Sequence, residues 1–374
     1  MNKPLRVLQV LPALNSGGVE RGTVEFAQQL VQRGHESLVL SNGGRLVETL
    51  QAQGTRHITL PVHRKSPLSL RWVRPLRQLL QQLNPDIVHV RSRLPAWLVW
   101  MAWRGLPISE RPALVSTFHG MYSVSPYSAI MAKPRHIIAI SAAVRTYIES
   151  NYPQAQGRIT LIHRGVDTAS FYAGQPSAHW RDAFYRQWPQ CKDRTLILMP
   201  GRLSRWKGQL TFITVMQQLL AKGAPVQGVI VGDSDDHTSP YPDELQRAVQ
   251  RAGLQQRICF VGHRSDMRQL YQLSDVVCQL STKAEPFGRT IIEALACGTP
   301  VVAYDRGGAA ESLGLCLPEG LVPADDTDAV VERILRFIQQ PPAPQLAPNF
   351  TLQAQADATL DVYYRALQDR YAER

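Results

Sequence analysis

No Cys-x-x-Cys spacing occurs in this 374-residue chain, and its five cysteines, Cys191, Cys259, Cys278, Cys297 and Cys316, all lie in the second half. An odd number without metal-ligand spacing argues against a disulfide framework or a zinc site and for the reduced thiols of a cytosolic protein. No uninterrupted apolar run reaches the roughly 18 residues of a membrane-spanning helix. The apolar start "LRVLQVLPAL" is broken by Pro12, too early for a secretory leader, and reads as a first strand. Neither a G-x-G-x-x-G dinucleotide fingerprint nor a G-x-x-x-x-G-K-[ST] phosphate loop is present.

The second half also lacks excess charge. Residues 1–175 hold 20 Lys+Arg and 8 Asp+Glu, a balance of +12, whereas residues 176–374 hold 21 and 22, a balance of −1. A basic half attracts nucleic acid, an anionic lipid leaflet or a phosphorylated acceptor, and charge alone does not separate these. A nucleic-acid-binding protein would carry an aromatic-basic stripe or a known motif, and none is visible.

What is there is alternation. Apolar runs such as "LRVLQVL", "SLVLS", "DIVHV", "ALVSTFH" and "HIIAIS" are interleaved with helical patterns, and a second series runs from "RTLILMPGR" to "TPVVAY". This cadence predicts right-handed crossovers and parallel sheets covered on both faces, hence an α/β chain of two doubly wound, Rossmann-like domains. Residues 1–175 are expected to form one domain and 176–351 the other. The tail 352–374, helical in pattern after the Pro-rich "QQPPAPQLAP", is expected to cross back to the first. "PAWLVWMAW", directly after a strand, reads as a buried crossover helix.

Ligands of parallel sheets sit at the carboxyl ends of strands, so the loops there carry the candidates. Gly17 and Gly18 in "NSGGVERG" precede a helix and let backbone N–H groups approach an anion. In "PGRLSRWKGQL", Arg202 and Lys207 follow a strand on a Gly-flanked loop, where a guanidinium fork and an ammonium suit adjacent phosphates. His119 ends another strand, in "STFHG". In "EPFGRTIIE", Glu285 lies in a loop and Glu293 in a helix expected to start near Phe287. The N–H groups of Phe287, Gly288, Arg289 and Thr290 would then face an anion, with carboxylates placed to accept hydroxyl hydrogen bonds. Asp233 and Asp235 have the spacing of a metal-bound nucleotide-sugar site but read better as a polar loop, so no metal is expected.

Together, "EPFGRTIIEALACGTPVVAYDRGG", "PGRLSRWKG", "NSGGVERG" and "IHRGVD" resemble the retaining glycosyltransferases of family 4, which have the two-domain GT-B fold. The resemblance implies two domains facing across a cleft and a nucleotide-diphosphate sugar, UDP-linked, as donor. It implies that Glu285 contacts the donor sugar, Glu293 the ribose, and Arg202 and Lys207 the diphosphate. It places Gly18 near phosphate and acceptor, His119 near the reacting sugar, and Gly262, His263 and Arg264 along the base. Neither metal nor other cofactor is implied. Two departures stand out. Arg164 replaces the family's common Asn before Gly-Val-Asp, adding a cation on the acceptor side, and "EPFGRT" replaces a more glycine-rich version.

The basic half corresponds to the acceptor domain of that fold. Arg64, Lys65, Arg71, Arg74 and Arg77 beside Trp72 form a patch suited to anionic lipid, which suggests peripheral attachment to the inner face of the cytoplasmic membrane and a lipid-linked acceptor such as a lipopolysaccharide core. The competing readings are a non-catalytic binding protein of the same fold, a sugar-nucleotide epimerase, and a nucleic-acid-binding protein.

Overall fold

A computed structural model describes residues 3–15, 17–234 and 238–372. The chain divides into two compact units, one running to Gly165 and resuming at Leu352, the other Val166–Thr351.

The first unit is built on seven strands, β1 (Arg6–Val10), β2 (Glu36–Ser41), β3 (Arg56–Thr59), β4 (Ile87–Val90), β5 (Ala113–Phe118), β6 (His136–Ala139) and β7 (Ile159–Leu161), in the order 3-2-1-4-5-6-7. All pairings are parallel, Leu8 lying beside Leu38 on one side and Val88 on the other. β4 and β5 are buried along their whole length, which is why they read as continuous apolar runs rather than alternating ones. "PAWLVWMAW" lies in the helix Arg93–Arg104 between β4 and β5, and its Ala96, Leu98, Val99 and Ala102 face inward.

The helix Leu352–Ala372 completes this unit. Its Ala356, Leu360, Val362 and Tyr363 share a core with Leu5, Val7, Phe26 and Leu30. Burying each large apolar side chain contributes about 1.5–3 kcal/mol.

The second unit holds β8 (Thr195–Pro200), β9 (Val226–Val231), β10 (Ile258–Phe260), β11 (Val276–Gln279), β12 (Val301–Tyr304) and β13 (Leu321–Val322), all parallel, in the order 10-9-8-11-12-13. The boundary precedes the one expected at 175/176. Residues 166–172 belong to this unit because Val166 pairs with Thr351, Gln272 donates to the Tyr172 carbonyl, and Phe171 packs on Tyr271. The stretch 165–192, aperiodic in sequence, contains a helix, Ala178–Gln187, whose buried residue is Phe184.

Strand order reverses between β1 and β4 and again between β8 and β11. These switch points open a crevice at the carboxyl ends of the strands in each sheet.

Candidate functional site

At the second switch point, β8 ends at Pro200 and the chain turns through Gly201 to the single turn Arg205–Lys207. Gly208 has φ +87, and a Cβ there would meet the Leu280 carbonyl at 1.9 Å, so only glycine lets this loop lie against the end of β11. The Thr282 N–H donates to the Trp206 carbonyl at 2.8 Å and fixes the approach.

The approach brings Lys207 to Glu285. The Lys207 ammonium meets Glu285 Oε1 at 2.5 Å and lies 4.3 Å from the Trp206 ring centroid. Gln279 Nε2 and Ser281 Oγ donate to the same oxygen, each at 2.6 Å. Glu285 is 7% exposed, and among the described residues no donor meets its Oε2. A carboxylate locked by three donors on one oxygen offers the other as a fixed acceptor. Arg202 lies on the same loop and lines a cavity of about 330 Å³ with Ser204, Arg205, Ser234 and Tyr241.

Below Glu285 the backbone crosses the "DRGG" segment. The Gly308 N–H donates to the Glu285 carbonyl at 2.7 Å, and a Cβ on Gly308 would sit 2.4 Å from the Pro286 carbonyl oxygen. The helix expected from Phe287 begins two residues later. Gly288 adopts φ +86 as its cap, and Arg289–Ala296 is helical. The Phe287 side chain is buried against Phe350. Thr290 therefore lies in the first turn, whereas the Phe287 N–H precedes the helix.

Glu293 is 3% exposed and held by protein on both oxygens, by Arg289 Nε at 2.7 Å and by the Tyr271 hydroxyl at 3.1 Å. Burial, with Glu293 beside it, pushes the Tyr271 phenol well above its usual range, so it stays protonated and donates. On the neighbouring loop the Gly262 carbonyl accepts from Gly232, and His263 is exposed. Arg264 is turned onto Asp266, with bonds of 2.8 and 2.6 Å, and Trp180 Nε1 donates to the same carboxylate at 2.7 Å. Burial opposes ionisation of Asp266, but the bonds from Arg264 and Trp180 outweigh it and its pKa is lowered.

The first unit assembles a separate set of cations at its own switch point. Arg164, after β7, lies across the start of the helix Gly18–Gln32, where it donates to the Gly18 carbonyl and is 8% exposed. A Cβ on Gly22 would come within 2.5 Å of its guanidinium, so Gly18 and Gly22, one turn apart, form the floor on which it rests. Arg91, directly after β4, is 3% exposed and donates to Gln9 Oε1 at 2.7 Å, while its Nε has no partner among the described residues. Burial brings the Arg91 pKa down to about 10, although Tyr363, Glu25, Tyr122 and Glu20 oppose the shift. Both ring nitrogens of His119 are buried, and among the described residues neither has a hydrogen-bond partner. Burial first, then Arg91, Arg164 and His89, holds the imidazole well below its usual 6.5, so it is neutral at pH 7. These groups line a cavity of about 10 Å³ with Thr117 and Gln355, room for about one water. Two guanidinium groups and a neutral imidazole thus face a space that holds a water-sized group.

Gln9, Arg91, Tyr271, Gln279 and Ser281 escaped the sequence reading. For all but Tyr271, which lies in the helix Met267–Leu273, the available sign was a polar residue inside or directly after an otherwise apolar strand, as in "DIVHVR" and "VVCQLS". Among the described residues no three His, Cys, Asp or Glu side chains cluster as a metal site, and Asp235 lies outside those residues.

Two family models match in tandem: Glycosyltransferase Family 4 over residues 16–170 and Glycosyl transferases group 1 over residues 181–355. The chain belongs to the family 4 glycosyltransferases of GT-B fold. A glycosyltransferase structure from Rickettsia africae superposes with a TM-score of 0.87 at 29% identity, covering 98% of this chain and 99% of that one. Anabaena HepE, solved with UDP and glucose, superposes with a TM-score of 0.72 at 24% identity over 99% and 98% of the two chains, a likeness of fold. Phosphatidyl-myo-inositol mannosyltransferase of Mycolicibacterium smegmatis is 26% identical over 86% of this chain and 81% of its own. The lipopolysaccharide core biosynthesis mannosyltransferase LpcC of Rhizobium leguminosarum is 29% identical over 56% and 60%.

Proposed function

We propose that this glycosyltransferase moves a hexosyl group, with retention of anomeric configuration, from a UDP-linked sugar to a phosphorylated, lipid-linked acceptor of the lipopolysaccharide-core type. The observation that carries the reading is Glu285, pinned on one oxygen by Lys207, Gln279 and Ser281 with the other oxygen open. A fixed carboxylate oxygen suits sugar hydroxyls, and a cation beside it suits the diphosphate to which the sugar is bonded.

In this reading the second unit holds the donor. As the C1–O bond stretches, negative charge grows on the diphosphate, and Lys207 and Arg202 stabilise it more in the transition state than in the ground state. The departing phosphate oxygen takes the proton of the attacking hydroxyl, so neither a covalent enzyme intermediate nor a metal is required. Glu293, held by Arg289 on one oxygen and Tyr271 on the other, keeps acceptor capacity for a ribose hydroxyl and also holds the helix start. The first unit takes the acceptor. Arg164 and neutral His119 lie on the acceptor side, Arg164 supplying positive charge toward its phosphate and His119 accepting a hydroxyl hydrogen bond. The names of the relatives that act on phosphatidyl-myo-inositol and on lipopolysaccharide core support such an acceptor.

Donor binding is tested by thermal unfolding against a panel of nucleotide sugars. The matching UDP-sugar at a hundredfold over its Kd is expected to stabilise by about 2.7 kcal/mol, and no shift with any donor would refute the reading.

The placement at the inner membrane face rests on the turn Pro67–Trp72 and the helix Val73–Leu83. Leu68 and Leu70 are 71% and 55% exposed there, and Arg71 lies over Trp72 at 5.0 Å. No helix among the described residues is long and apolar enough to span a bilayer. Sedimentation with phosphatidylglycerol vesicles should exceed that with neutral vesicles, and equal binding would remove the placement.

A further inference from the structure

Within the first unit, at the amino ends of β5 and β6 and so at the opposite edge of the sheet from Arg91 and His119, lies a second cavity of about 210 Å³. Its apolar wall is formed by Trp100, Trp103, Pro112, Leu114, Pro134 and Ala366. The two indoles are stacked, with centroids 5.3 Å apart at 19°, and Trp103 Nε1 donates to the Pro112 carbonyl at 2.8 Å. Arg158 donates to the carbonyls of Ala132, Lys133 and Pro134 and thereby fixes the loop that forms the rim. The cavity is a built feature, with its wall and rim both held in place.

The charge at its mouth is one-sided. Arg111, Lys133, Arg135, Arg158 and Arg370 line it against a single carboxylate, Asp369, which is already met by Arg135 and His136 at 3.0 Å each. Lys133 is exposed, and its ammonium lies 5.6 Å from the Trp100 centroid with no carboxylate partner among the described residues. Arg111 lies 4.7 Å from the Trp103 centroid, and Ile108 at the rim is 64% exposed.

We propose that this cavity binds one anionic phospholipid molecule, its phosphate on Lys133 and Arg111 and the first part of an acyl chain against Trp100 and Trp103. An apolar interior behind a cationic mouth calls for a ligand with one charged head and one apolar tail. At about 210 Å³ the space is smaller than the pockets of roughly 300–1,000 Å³ that enclose a whole drug-sized ligand, so it takes a chain segment and leaves the rest outside. Nucleic acid fits less well. Its bases need open aromatic faces, and the indole faces here are taken by each other and by Lys133 and Arg111. The lipid site does not depend on the donor chemistry of the other unit, and it is separate from the patch on Pro67–Trp72.

The test uses the full chain titrated with dihexanoyl phosphatidylglycerol below its micelle concentration, read by calorimetry, with a bromine-labelled chain as quencher of tryptophan fluorescence. Saturable binding of one lipid per chain is expected, with quenching, weakened at least tenfold by Lys133→Glu and unchanged by Lys222→Glu, an exposed cation of the second unit. Lys133→Gln serves as a second variant if charge reversal disturbs folding, and the same loss in direction is expected of it. Equal binding of dihexanoyl phosphatidylcholine would overturn the role of charge, and equal binding of glycerol phosphate would overturn the role of the chain. Absence of saturable binding, or binding that Lys133→Glu and Lys133→Gln both leave intact, would overturn the site.

Discussion

Lys207→Ala is expected to lower kcat by about 10²–10³-fold, the loss that follows removal of one preorganised group facing developing charge, about 2.7–4 kcal/mol. The Lys207 side chain is 22% exposed and its ammonium sits 2.5 Å from the buried Glu285 carboxylate, so it is aimed by Glu285 as much as it steadies Glu285. Two consequences follow from its removal. Charge on the departing diphosphate loses its partner, and Glu285 keeps only Gln279 and Ser281 on Oε1. The first acts on turnover and the second on sugar placement, so kcat should fall much more than KM rises. Steady-state kinetics on the variant check this, and a loss under tenfold in kcat would remove Lys207 from the chemistry. Glutamine at position 207 could still bond Glu285 but carries no charge, and it should recover sugar placement without recovering turnover.

The second large effect is on stability. Tyr363→Ala is expected to destabilise the first unit by about 3–5 kcal/mol, the usual cost of deleting a fully buried aromatic ring. The ring packs edge-on against Phe26, with centroids 5.9 Å apart, and its hydroxyl meets His89 Nδ1 at 2.7 Å while His89 Nε2 meets Thr117 Oγ1 at 2.6 Å. Burial and Arg91 hold His89 well below its usual pKa, so the ring is neutral and one nitrogen donates while the other accepts. Through this chain of bonds the last helix is tied to β4 and β5. Tyr363→Phe keeps the ring and removes only the hydroxyl, and about 1–3 kcal/mol is expected because a buried imidazole nitrogen loses its partner. Denaturant unfolding of the two variants measures both; no loss in Tyr363→Phe would contradict the hydrogen-bonded relay, and equal costs would contradict the packing of the ring.

Residues whose role is set by the local chain were legible in the sequence. The doubly wound parallel architecture and the helix positions followed from the alternation of "LRVLQV" and "DIVHV" with helical segments, since a doubly covered parallel strand has to be apolar on both faces. Gly17, Arg202, Lys207 and Glu285 could be placed because they stand one loop beyond such strands. Residues whose role depends on what the fold places opposite them were not. Nothing local marks Gln9 as the partner of Arg91, 82 positions away, or Tyr271 as the clamp on Glu293. Arg164 was legible as an extra cation but not as one laid on Gly18 and Gly22, because the close approach is made by two glycines more than 140 residues upstream. The unit boundary moved for the same reason, since residues 166–172 reveal their allegiance only through Thr351, Gln272 and Tyr271.

The most direct measurement is of the product itself. The purified chain, a matching UDP-sugar and a phosphorylated lipid-linked core acceptor are followed together by proton NMR, with EDTA present. The expected result is UDP released one for one with a glycoside that has the anomeric configuration of the donor. Inverted configuration, dependence on a divalent metal, or no UDP release with any donor and acceptor of this class would contradict it.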